Sequence, residues 1–373
     1  MNGKMLGLLF GLVGVFARVG ADEENYCKKE CTEKKFDDCA PLCYAGPRYE
    51  EDMALDVMGA AIYGFVNVQA SEIALLSNTR SNFELPVNAA GIEPDEKVTW
   101  GFKAGAGLKF RHDDWKIVGR YNWFKANYAS GLFTAVGGSY FPSIYSNFNA
   151  EYPDLTTDIL NFRNLDYNTK TLLQCLNVYL IRPTMYTALL EISPYFGVDY
   201  INTNRQMTIL FTNDNPQIGF TKQYYINGGY FQSYNKNRFW GVGPMAGVYS
   251  NWYLGYNFGL FSDAYFGVTY GNARSFSQIV AYRAGQPTET PVNSLARISN
   301  SLYQYAPHMD LQMGFCWSTS FDESCVAASL KVAYESAYYF QTNKMIFNSV
   351  NYGVMNGAGI GLQNLVLQGQ LDF

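Results

Sequence analysis

Histidine is almost missing from these 373 residues: His112 and His308 are the only two, which leaves an acid–base catalytic reading little to stand on. Charge is thin as well. Twenty-seven basic residues face 32 acidic ones for a formal net charge of −5, and that balance argues against nucleic acid as a partner. No Pro/Gly/Ser-rich hinge follows residue 50 and no composition shift divides the rest, although a soluble chain of this length would usually split into two or three domains. Beyond the N-terminus no apolar run is long enough for a membrane helix. Aromatics, by contrast, are plentiful. Tyr, Phe and Trp make up 17% of residues while mean hydropathy stays just below zero. That combination suits a sheet apolar on one face and wet on the other, and such a sheet closed in a bilayer is a transmembrane barrel.

The start of the chain reads as an export signal. "MNGK" is basic, "MLGLLFGLVGVFA" is apolar but well short of the roughly 20 residues a span requires, and "VGA" at 19–21 offers a cleavage site after Ala21, with Ala17 as the fallback. Losing Lys4 and Arg18 takes the net charge to −7. Residues 22–52 then form a periplasmic segment carrying Cys27, Cys31, Cys39 and Cys43 as two C-x3-C pairs. Disulfides are the expected fate of such thiols after export, most simply nested between the two groups, with cross-links to a second copy or to other envelope proteins as a variant. A four-thiolate zinc site is the rival, but zinc favours C-x2-C spacing and reducing compartments. Cys316 and Cys325 flank an expected turn and are placed to bridge it, leaving Cys175 unpaired or paired to another chain. No cofactor or metal is expected.

From residue 53 to 373 apolar and polar residues alternate with a period of two, the mark of β-strands. Strands are expected near 53–69, 98–110, 115–129, 165–179, 188–203, 237–250, 255–271, 303–317, 326–341 and 361–373. Links at 111–114, 180–187, 251–254 and 318–325 are short, and the others are long. Short periplasmic turns alternating with long outer loops give an all-β, antiparallel outer-membrane barrel of ten strands. An extra hairpin within 204–236 would make it twelve. Outward rows place aromatics at their ends: Trp100, Trp115, Trp123, Phe315, Trp317 and Phe373 are expected at the lipid headgroups. A soluble β-sandwich shares the alternation, but its strands usually run about five to six residues and give tip aromatics no reason to be there. The last strand, "LQNLVLQGQLDF", ends on an aromatic residue, as in the assembly signal of bacterial outer-membrane proteins, and so points to the barrel-assembly machinery as a partner.

Several stretches resemble the Legionella major outer membrane protein family. They are "WGFKAGAGLKFRHDDWKIVGRYNWF", the hairpin "NRFWGVGPMAGVYSNWYLGYNFGLFSDAYFGVTYG" at 237–271, and the closing "GIGLQNLVLQGQLDF". The resemblance implies a pore-forming major surface protein, also met in chlamydia-related bacteria, with disulfide cross-linking in the envelope.

Inward positions carry Lys103, Lys109, Lys116, Arg120 and Lys170 on the early strands, then Glu191, Asp199, Asp263, Asp310, Glu335 and Asp372 on the later ones, with Lys331 the exception. A basic wall would thus face an acidic wall, and charge lining a lumen sets which solutes pass. Passive passage of small hydrophilic solutes or ions is the expected function. The opposing possibility is that these charges pair across the lumen and plug it, because eight strands merely fill while sixteen to eighteen leave a channel. A disulfide-linked structural or adhesive coat protein is the second function class, supported by the N-terminal cysteines and by loops such as "GGSYFPSIYSNFNAEYPDL". His308 and Asp310 share a strand face, a pairing common by chance. Gly241, Gly243 and Gly247 are read as close-packing positions, since no helix follows them to make a phosphate loop.

Overall fold

A computed structural model of the chain describes residues 53–69, 73–77, 90–94, 97–110, 115–129, 133–135, 139–142, 162–184, 186–187, 189–212, 230–255, 257–282, 293–321, 326–349 and 352–373. The strands are β1 (Met53–Val68), β2 (Ala74–Ser77), β3 (Ala90–Ile92), β4 (Thr99–Phe110), β5 (Lys116–Ala129), β6 (Phe133–Thr134) and β7 (Ser139–Pro142), followed by β8 (Asn164–Ile181), β9 (Leu190–Thr212), β10 (Tyr230–Gly255), β11 (Phe258–Tyr282), β12 (Asn293–Phe321), β13 (Val326–Ser349) and β14 (Tyr352–Asp372). No helix occurs among the described residues.

Ten of these strands, β1, β4, β5 and β8 to β14, pair antiparallel with their neighbours, and β1 pairs with β14 to close the ring. Tracing paired residues once around from Asp56 leads through Gly107, Val118, Tyr179, Gly197, Met245, Gly267, His308, Tyr339 and Ile360 back to β1 at Val68, a stagger of twelve residues. With ten strands this stagger tilts the strands by about 40° and sets a backbone radius of about 9–10 Å. Long side chains from opposite walls therefore meet in the middle.

Among the described residues no extra hairpin joins the barrel. Residues 204–212 and 230–236 instead prolong β9 and β10, paired up to Thr212↔Tyr230, so the count stays at ten. Strands overshoot the expected lengths on this side, to 29 residues in β12. Their outer parts stand clear of the hydrocarbon but keep pairing, and the inward Met207, Ile209 and Phe211 gain an apolar lid. That lid is the small sheet β3-β2-β7, drawn from the links 70–97 and 130–164, which packs Ile73, Ala74 and Tyr140 onto Phe162, Leu165 and Tyr167.

The outside surface is lipid-facing. Trp100 is 64% exposed, Phe315 62% and Tyr305 65%, a display of apolar area that only a membrane accommodates. An outer girdle contains Tyr63 against Trp100 (ring centroids 4.7 Å apart), Trp123, Trp240, and Tyr270 between Tyr303 and Tyr305. At the inner rim Trp115 packs edge-on to Phe196 under the Arg182 guanidinium, with Phe258, Phe315, Trp317 and Phe373 around the same rim. Aliphatics such as Val178, Val198, Val332 and Leu367 fill the band between.

Candidate functional site in the barrel interior

Inward side chains build the interior in bands, described from the mouth with the short turns toward the other. At the inner mouth Lys116 pairs with Asp56 at 2.9 Å, and Glu191 accepts from Ser193 Oγ at 2.7 Å and from the Tyr253 hydroxyl at 2.9 Å. Lys109 and Asp372 stand half-buried at this end. Lys331 donates to the Tyr249 hydroxyl at 3.3 Å and lies over the Tyr249 and Phe261 rings.

Above lies an ionic band. Arg120 reaches across to Asp263 at 3.1 Å, between the Tyr179 and Tyr265 rings, and Asp263 also accepts from the Tyr195 hydroxyl at 2.5 Å. Lys103 meets Glu335 at 2.7 Å, and Asn364 donates to the other Glu335 oxygen at 3.4 Å. Asp199 accepts from Asn177 at 3.0 Å and is paired with His308. Asp310 is buried in the same band, with no basic partner among the described residues and no hydrogen-bond partner for its Oδ1. Four acidic side chains, Asp199, Asp263, Asp310 and Glu335, thus gather around two permanent cations, Lys103 and Arg120. Two glycines make room: a Cβ on Gly247 would overlap the Tyr195 ring, and one on Gly267 the His308 ring.

Above the ionic band an apolar belt crosses the lumen, and beyond it polar side chains return, with Thr171, Arg205, Asn235, Asn237 and Ser277 buried. Ile62, Val66, Phe124, Leu173, Ile201, Phe239, Tyr339, Ile360 and Leu362 form one buried cluster drawn from strands all round the ring. Cys175 lies in this belt and donates to the Tyr339 hydroxyl at 3.4 Å.

Most of the expected inward residues do face inward, but three expectations need correction. Lys170 is exposed on the outward face of β8, because Thr169, Thr171, Leu173 and Cys175 hold the inward parity and place it with Leu176 and Val178. Cys316 is unbridged: it faces the lumen and donates to Asn251 Oδ1 at 3.3 Å, so the turn-spanning disulfide to Cys325 is not formed. Burial of Cys175 inside the barrel removes it from contact with a second chain. Cys27, Cys31, Cys39, Cys43, His112, Cys325 and the export signal lie outside the described residues. Sequence reasoning missed the apolar belt, the tyrosines around Arg120 and the inward Arg205. The same alternation that placed the charges would have found them. His308 pairs with Asp199 on a distant strand rather than with Asp310 on its own, a consequence of the stagger.

A closed antiparallel sheet, aromatic and aliphatic toward its surroundings and ionic within, is an outer-membrane β-barrel. Residues 48–371 match the family described as Legionella pneumophila major outer membrane protein precursor, and the chain belongs to that family, whose place is the outer membrane. Comparison with curated proteins gave no significant match. Solved structures similar to the chain include the outer membrane protease OmpT from Escherichia coli (9% identity, 87% of this chain and 96% of that one, TM-score 0.33). A major outer membrane protein from Thermus thermophilus (11%, 87% and 100%, 0.30) and the Pseudomonas putida toluene transporter TodX (9%, 89% and 92%, 0.27) are also similar. At these scores they lend no argument about activity, and the fold stands on the closed register.

Proposed function

We propose that this barrel is a porin-class channel for small ions, held shut at rest by its own side chains and conducting when the ion pairs across the lumen part. The carrying observation is the pair of buried bridges, Lys103 to Glu335 and Arg120 to Asp263, that join one wall to the other. Buried ion pairs contribute little net stability compared with apolar packing, so a barrel serving only as a surface plug gains nothing by keeping them. With the carboxylates of Asp199, Asp263 and Glu335 set against two permanent cations, Lys103 and Arg120, the ionic band favours cations. His308, closed onto Asp199 and buried, supports a transport reading over an enzymatic one. Docking of β14 on the assembly machinery and cross-linking through the N-terminal cysteines belong to the same proposal.

A second reading has its own support. The apolar belt from Ile62 to Leu362 crosses the lumen above the ionic band, which favours an occluded structural or adhesive surface protein. Planar-bilayer recording separates the two. Small cation-selective steps, enlarged by Phe124→Ala together with Ile201→Ala, support the channel. Silence of both proteins across voltage and salt overturns it and leaves the occluded coat protein.

A further inference from the structure

Above the outer girdle the outward surface of β10 to β12 is a cationic patch. Register places Arg238 directly opposite Arg274, and Lys236 opposite Phe276. Arg297 lies over the Phe276 ring at 5.4 Å, so all four cations gather on three adjacent strands. The same rows continue through Asn204 and Gln206 on β9 to Leu172 and the outward Lys170 on β8, with Lys125 opposite Leu172 on β5. Apart from Leu172 and Phe276, the other outward positions of these rows, Asn204, Gln206, Ser299 and Ser301, are polar and uncharged. The outward acid on these strands, Asp166, lies two positions beyond Asn168, away from the arginine pair. Four cations therefore cluster on three adjacent strands, and Lys170 and Lys125 follow the outer rim round to β5, in a chain whose acidic residues outnumber its basic ones.

Like charges directly opposite each other in a sheet destabilise it. Arg238 and Arg274 are both exposed and meet no carboxylate among the described residues; the hydrogen bond from Arg274 Nε to Asn272 Oδ1 at 2.9 Å leaves the charge uncompensated. Depth decides what can compensate it. Trp240, Tyr270, Tyr303 and Tyr305, 44–65% exposed, sit immediately below the pair and mark where hydrocarbon gives way to headgroups. The guanidinium fork matches phosphate oxygens two at a time, and two adjacent forks match one phosphate or two close ones.

We infer that Arg238, Arg274, Lys236 and Arg297 form a binding site for the phosphate-bearing headgroup of an outer-leaflet glycolipid, with Lys170 and Lys125 extending it around the rim. The sugar plane rests on the exposed tyrosines and the acyl chains run down the aliphatic band. This inference rests on the outer-membrane location and is independent of conduction, so a silent bilayer recording leaves it untouched.

The test uses the folded, full-length barrel in detergent, titrated with bisphosphorylated lipid A and, separately, with the same lipid after enzymatic dephosphorylation; retained adducts are read by native mass spectrometry. Arg238→Gln with Arg274→Gln is expected to weaken lipid A binding by about tenfold or more, the loss of two charge-assisted contacts. Arg182→Gln at the opposite rim should change nothing, and dephosphorylated lipid should bind weakly to every variant. Heat-modifiable gel mobility reports folding; should the arginine pair prove necessary to fold, Lys236→Gln with Arg297→Gln carries the same expectation. Equal binding by wild type and the folded variants, or equal binding of phosphorylated and dephosphorylated lipid, overturns the site.

Discussion

Lys103 and Phe124 come from paired strands and both face inward, Phe124 two positions above the Asn122 that pairs with Lys103. One ends on a carboxylate across the lumen, the other in an apolar belt. The ionic band and the apolar belt thus obey one alternation rule and reach opposite chemistries. Packing a narrow barrel with Phe, Ile and Leu removes apolar area from water at little risk. Filling it with ions needs a partner for every charge, because one unpaired member costs far more than the pair returns. The apolar belt is tolerant, and the ionic band is exacting.

That contrast can be broken by mutation. Lys103→Ala strands the buried Glu335 carboxylate in a band already rich in acids and should cost about 3–5 kcal/mol, read as a lowered urea midpoint of the folded gel band. Replacing both partners, Lys103→Met with Glu335→Leu, should return stability to within about 1 kcal/mol of wild type or above it, while narrowing cation preference. In the belt, Ile201→Val should cost only about 0.5–1.5 kcal/mol. If Lys103→Ala proves no worse than Ile201→Val, band and belt are energetically alike and the contrast fails. The smallest effect is kinetic. With the other five cysteines changed to Ser, Cys316 near the inner mouth should react with a water-soluble methanethiosulfonate faster than Cys175, which is 1% exposed within the belt. Equal rates would mean that water reaches the belt as readily as the inner mouth.

Strand positions, strand number, the outward girdle and the inward set of charges were legible because a period of two is a property of neighbours along the chain. Who meets whom was not. Lys103 finds Glu335, 232 residues away, only through the closed ring, and the twelve-residue stagger decides that Asp199 rather than Asp310 takes His308. Lys170 was misplaced because the outer stretch of β8 leaves the hydrocarbon, where a lysine is as welcome outside as in. The apolar belt went unread for a different reason: Phe124 and Ile201 on an inward face look like any hydrophobic residue until the parity of their strands is fixed.

The ring shuts where Leu55 and Phe373 exchange main-chain bonds of 3.1 and 2.7 Å. β1 is the earliest barrel strand to be translated and its mate the latest, so one flank of β1 stays bare throughout synthesis and transport. In hydrocarbon each naked N–H or C=O costs several kcal/mol. A half-built sheet must therefore wait outside the acyl layer or lean on a borrowed strand, and insertion and closure become one event. A chain shortened within β14 would leave two raw flanks rather than a smaller barrel.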